Sequence, residues 1–176
     1  AQKLILPINK TRITAATKTK LTKEFGYNHY GVDYTDQQKS DKTVWGSGDG
    51  VITHVGWSNS CGNVICAVYK NCQLTNGQVK DLTIRYYHLE KIYVKAGDKI
   101  TKDTRLGLYG NTGASTGDHL HLEIDTDTKY PNYTPQIGKN SGVLKSGTDS
   151  TINPTTALYV KTTSPDNQSV KNSGYN

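Results

Sequence analysis

Between Gly50 and Ile124 short runs of alternating apolar and polar residues follow one another: GVITHVGW, NVICAVYK, DLTIRYYHL, KIYVKAGDKI, RLGLYG and HLHLEI. The links SNSCG, NCQLTNGQ and NTGASTGD are made of turn residues, and Ala96 to Lys99 reads as a tight turn. Strands this short and this closely spaced predict a mainly β chain, a compact antiparallel sheet or open, barrel-like domain. Composition agrees: there are 12 Tyr and 17 Gly but no Met and one Phe, which suits a turn-rich β protein rather than a helical bundle.

The flanks are less regular. LILPI near the N-terminus predicts an edge strand ending near Pro7, followed by a Thr/Lys-rich connector to Phe25 and Gly26. HYGVDY at 29–34 carries β-type alternation; a polar loop over 35–42 leads to Val44 and Trp45. Residues 126–150 lose the pattern and read as a long surface loop. In TINPTTALYV, Asn153 is placed to cap a short helix with Pro154 at its first position. At 176 residues the chain suits one domain, taken as 1–160, with 161–176 a polar tail or linker poor in apolar residues and expected to be disordered.

A net charge of +6 favours a polyanionic partner. The basic residues are scattered and no zinc-finger, helix-turn-helix or RNA-binding signature focuses them, so nucleic acid is set aside; acidic membrane and anionic cell wall polymers stay open, and the charge alone reads as solubility. No apolar run approaches the ~20 residues of a membrane span. Nor is there a signal-peptide pattern, so a secreted protein would be present in mature form. Cys61, Cys66 and Cys72 have a spacing poorly suited to zinc. Cys66, between Val64 and Val68, is expected to be a buried, inert thiol; one disulfide involving Cys72 is compatible with the spacing, and no catalytic role is assigned to the cluster.

The HLHLEI strand holds two of the chain's five histidines. Alternation puts His119, His121 and Glu123 on one face and Leu120, Leu122 and Ile124 on the other. A polar, solvent-facing strand surface would explain the pair equally well, so partners elsewhere must decide. A catalytic zinc takes three protein ligands and leaves a position for water or substrate. His29, Asp33 and one of His119 and His121 would make such a set, and His88 would face the same pocket if its strand neighbours theirs. The histidines left over can then act as base, acid or oxyanion donor, a division of labour that suits hydrolysis. His54 lies outside these motifs and reads as a strand-surface residue. Tyr27, Tyr30, Tyr86 and Tyr87 flank them, but in so Tyr-rich a chain each reads as structure or groove wall.

Taken in order, His29-Tyr30-Gly31-Val32-Asp33, Gly56-Trp57-Ser58-Asn59, Tyr87-His88-Leu89, Val94 to Lys99 and Gly110-Asn111-Thr112-Gly113 through His119-Leu120-His121 resemble the lysostaphin-type zinc metallopeptidases over roughly residues 25–158. The resemblance implies a peptidoglycan endopeptidase, secreted or phage-associated, with a largely antiparallel sheet and long flanking loops forming a substrate groove. It implies His29, Asp33 and His121 as zinc ligands and His88 and His119 as the two catalytic histidines. All these positions are filled. Fewer residues separate Phe25-Gly26 from His29 than in many relatives, and the Asn71–Lys80 turn and the 127–150 loop look enlarged, both candidates for shaping substrate choice. The rival readings are a wall-binding module that uses the groove without cutting and another zinc hydrolase, such as a D-Ala-D-Ala carboxypeptidase.

Overall fold

The computed structural model describes residues 1–15, 30–132, 150–161, 170–171 and 173–176. Its body is an antiparallel sheet built on three long strands, β5 (Gly50–Ser58), β6 (Gly62–Gln73) and β7 (Val79–Ile92), paired in sequence order as the alternation predicts. On the far side of β7 lies β10 (Leu120–Asp125), and beyond it β3 (Val32–Asp36) and β2 (Thr11–Ala15). The segment read as a connector thus contributes a strand, β2, that pairs with β3. Beyond β5 lies β8 (Lys99–Ile100); β9 (Arg105–Tyr109) joins β7 to β4 (Thr43–Trp45), and β11 (Thr151–Ile152) pairs antiparallel with the end of β10. The sheet is open, not a closed barrel. A separate parallel pair, β1 (Leu4–Ile5) with β12 (Leu158–Tyr159), packs the two flanks together.

The predicted cap forms: the Asn153 side chain accepts from Thr155 N–H, with Pro154 at the head of a short 3-10 turn over Pro154–Thr156. Two expectations fail. The β6–β7 hairpin is not an enlarged groove loop, because its strands run on to Gln73 and from Val79; its outer end pairs with the N-terminal segment through Gln2 and Cys72 and receives the Tyr159 hydroxyl at Gln73. Nor do the described residues of the expected tail trail away: Val170 and Tyr175 are buried in the main core, and the Tyr175 and Tyr34 hydroxyls meet at 2.5 Å. Residues 162–169 and 172 lie outside the described residues, as does most of the loop read over 126–150.

That core is aliphatic with a minority of phenols. Leu82, Ile84, Leu120, Leu122 and Ile124 fill one side of β7 and β10. Tyr34, Tyr69, Tyr86 and Tyr109 are buried among them, and each places its hydroxyl on a polar partner: Tyr69 on Tyr86 at 2.7 Å, Tyr109 beneath the Asp36 backbone N–H. Buried phenols keep their hydroxyls satisfied in this way. The three cysteines are buried free thiols, and no disulfide forms; burial pushes Cys66 and Cys72 up to about 12, as inert thiols require.

Candidate metal and catalytic site

The second face of β10 is covered too, contrary to the solvent-facing alternative: His121 and Glu123 are as buried as Leu120 and Leu122. A strand enclosed on both faces needs its polar residues paired. Register supplies the partners. His121 stands opposite Asp33 on β3 and opposite Tyr87 on β7, and Glu123 stands opposite Arg85. Gly31, just before β3, allows this close approach, since a Cβ there would lie 2.2 Å from the Leu122 carbonyl oxygen and 2.9 Å from His121 Nε2.

His121 Nδ1 lies 2.8 Å from Asp33 Oδ1, and its Nε2 lies 3.1 Å from Glu123 Oε1. Burial alone would lower this imidazole's pKa, but the two carboxylates outweigh it and raise it to about 10. Burial would likewise raise Glu123; His121, Arg85 and Tyr87 hold it below the usual carboxylate range instead. His119, at the mouth of β10, places Nε2 3.6 Å from Asp33 Oδ1, while its Nδ1 sits 2.8 Å from the Gly117 carbonyl.

His88 reaches the same pocket by breaking the alternation of β7. Its neighbour Tyr87 already faces His121, stacked with ring centroids 5.0 Å apart, so a regular strand would turn His88 away. A left-handed backbone at His88, φ +64°, turns it back, and its ring comes within 4.8 Å of His119. Such a conformation costs roughly 1–3 kcal/mol in a non-glycine residue and persists where the surroundings hold it. Here they do: His88 N–H donates to the Cys61 carbonyl, Gly110 N–H donates to the His88 carbonyl, and Nδ1 lies 2.7 Å from the Thr112 carbonyl. Burial, with the His121 cation nearby, lowers His88 to about 4 and keeps it neutral.

The structure therefore brings together Asp33, His88, His119 and His121. His29, the remaining expected ligand, lies outside the described residues, as do Tyr27 and Asn28 before it. Among the described residues no trio of His, Cys, Asp or Glu side chains could hold a metal ion; Asp33 Oδ1 and His121 Nδ1 are the converging nitrogen and oxygen donors. Tyr87 is fully buried and Tyr30 nearly so, structural positions as expected. Sequence reading missed the roles of Arg85 and Tyr87, although their Arg-x-Tyr alternation opposite His-x-Glu would have signalled a paired buried block. A cavity of about 730 Å³ lined by Val51, Val68 and Ile100 contains none of these residues and is separate from the site.

Comparison with known proteins identifies relatives of the chain. Over 96 residues, 54% of this chain and 20% of its relative, the sequence is 38% identical to peptidoglycan DD-endopeptidase ShyA of Vibrio cholerae. Over 132 residues, 73% of this chain and 34% of the other, it is 33% identical to glycyl-glycine endopeptidase ALE-1 of Staphylococcus capitis. A solved zinc-containing peptidase from Vibrio cholerae superposes with a TM-score of 0.54 at 27% identity, covering 70% of this chain and 36% of that one. The chain thus spans only a fifth to about a third of the length of these relatives. The model of peptidase family M23, a family of metallopeptidases, matches residues 27–133, the stretch that carries His29, Asp33, His88, His119 and His121, and the chain belongs to that family.

Proposed function

We propose that this chain is the catalytic domain of a zinc-dependent endopeptidase that hydrolyses peptide bonds of bacterial peptidoglycan, in the stem peptide or the cross-bridge. It acts at the cell wall as a secreted or phage-associated enzyme, with anionic wall polymers as further contacts for its basic surface. The observation that carries this reading is the meeting of His121 Nδ1 and Asp33 Oδ1 at 2.8 Å beside two further imidazoles. An imidazole nitrogen and a carboxylate oxygen are zinc donors, and His29 is proposed as the third. The names of the relatives, both peptidoglycan or glycyl-glycine endopeptidases, support the substrate class.

When bound, the zinc supplies Lewis acidity, lowering the pKa of a water and polarising the scissile carbonyl. The chain's own residues do the rest. His88 donates its Nδ1 proton to the Thr112 carbonyl, which leaves Nε2 with a lone pair, and its depressed pKa keeps that lone pair available. That is the equipment of a general base. His119, with Nδ1–H on the Gly117 carbonyl, likewise presents the Nε2 lone pair to the same space and is placed to take up a proton there and pass it to the leaving amine.

Purified protein is expected to hold one zinc per chain, and His121→Ala to lose zinc and wall hydrolysis together. Hydrolysis that survives thorough chelation overturns the reading. Mass analysis of digested muropeptides is expected to show opened peptide links; release of single residues indicates a carboxypeptidase, and binding without cleavage by zinc-loaded protein indicates a wall-binding module.

A further inference from the structure

Glu123 is charged, buried and unused in the reaction just described. Its Oε1 lies 3.1 Å from His121 Nε2; its Oε2 accepts from the Tyr87 hydroxyl at 2.9 Å and lies 3.7 Å from Arg85 Nη1. These contacts follow from register, because the cross-strand pairs His121 with Tyr87 and Glu123 with Arg85 form a two-by-two block across β10 and β7. The Arg85 corner is held from outside, and the Tyr87 and His121 corners brace each other. Arg85 Nη2 donates to Asp125 Oδ2 at 2.8 Å and its Nε to the Pro131 carbonyl at 3.2 Å, and the Tyr87 ring stacks on the His121 imidazole at 19°.

This arrangement decides which imidazole nitrogen is left for a metal. A neutral imidazole carries one N–H and one lone pair, and a metal ion takes the lone pair. Among the described residues Oε2 faces only donors, the Tyr87 hydroxyl and the Arg85 guanidinium, so the carboxylate is an acceptor on that side. With Oε1 also accepting, the His121 nitrogen opposite it, Nε2, must carry the proton. Nδ1 faces the Asp33 carboxylate at 2.8 Å, so a metal held by Asp33 would take the place of the Nδ1 proton while Glu123 keeps the one on Nε2.

We infer that Glu123 is a positioning residue that fixes His121 in its Nε2–H form and so presents Nδ1 to the metal, with Arg85 and Tyr87 holding Glu123 in place. The inference rests on the zinc reading above and deepens it. Outer partners of this kind are typically worth roughly 10- to 100-fold in metal affinity. Glu123→Gln keeps the size of the side chain but sets an amide N–H₂ against one of the donors around it. Tyr87→Phe keeps the stack and removes only the hydrogen bond to Oε2.

The test measures zinc affinity by competition with a chromophoric chelator and reads the His121 tautomer from imidazole ¹⁵N shifts of the zinc-loaded protein. Wild type is expected to show protonated Nε2. Glu123→Gln is expected to bind zinc roughly 10- to 100-fold more weakly, and Tyr87→Phe to weaken it severalfold while staying folded. Zinc affinity unchanged in both variants, or Nδ1 protonated in the wild type, overturns the inference. If instead the wild type binds no zinc, the proposed function itself has failed, so the two failures are distinct.

Discussion

His88 concentrates much of the site's logic in one residue. A left-handed backbone brings it beside His119, and burial keeps its imidazole neutral. His88→Ala is therefore expected to lower peptidase turnover by roughly 10²- to 10⁴-fold while leaving zinc content unchanged, as metal analysis alongside kinetics would show. The two perturbed histidines also predict how the metal-free protein responds to pH. His88 is lowered to about 4 and His121 raised to about 10 from an ordinary 6.5. Below 6.5 the unfolded chain takes up a proton that folded His88 refuses, so stability falls as pH drops toward 4. Above 6.5 folded His121 keeps a proton that the unfolded chain releases, so stability falls as pH rises toward 10. Chelator-treated protein should thus unfold at its highest temperature near pH 6.5, and His121→Gln should flatten the alkaline side of that curve.

At the scale of elements, the site depends on the loop from Gly110 to Asp118 being held against the β5–β6 turn. Ala114 N–H donates to the Ser60 carbonyl, and Asn63 N–H donates to the Thr112 hydroxyl, which in turn donates to the Leu89 carbonyl. Gly113, at φ +75°, makes this contact possible, for a Cβ there would lie 2.3 Å from the Gly62 nitrogen. Gly113→Ala is expected to cost about 1–3 kcal/mol in a urea titration. It should also shift the Thr112 carbonyl off His88 and lower activity in the same samples. Much of this scale was legible in the sequence, because β5, β6, β7 and β10 alternate cleanly and alternation is what a strand with one apolar face must show. What stayed hidden has physical causes. TRITA at 11–15 is polar enough to pass for a connector, since β2 is exposed on alternate positions. Alternation also assigns His88 to the wrong face, because one positive φ inverts the rule at that residue. That β10 is covered on both sides depends on Arg85 and the 126–132 segment, whose approach no local pattern encodes.

For the molecule as a whole, the two ends of the chain close the core together. Val170 and Tyr175 sit among the same apolar residues as Leu4, Leu6 and Ile8. Tyr175→Ala is expected to destabilise the protein by about 3 kcal/mol, in the range of large-to-small core changes, and Tyr175→Phe, which loses only the hydroxyl contact with Tyr34, by about 1 kcal/mol. Denaturant titrations of the two variants check both values; a change near zero for Tyr175→Ala would show that the C-terminal residues do not belong to the folded unit. The same reliance on phenols makes the core optically legible. Burial drives Tyr34, Tyr69, Tyr86, Tyr87 and Tyr175 above their ordinary ionisation range, so they resist becoming phenolates while packed. In an alkaline titration the tyrosinate absorbance of this protein should then arrive in two waves, the exposed rings first and the interior ones only as the sheet comes apart, so that a single wavelength reports unfolding without an added dye.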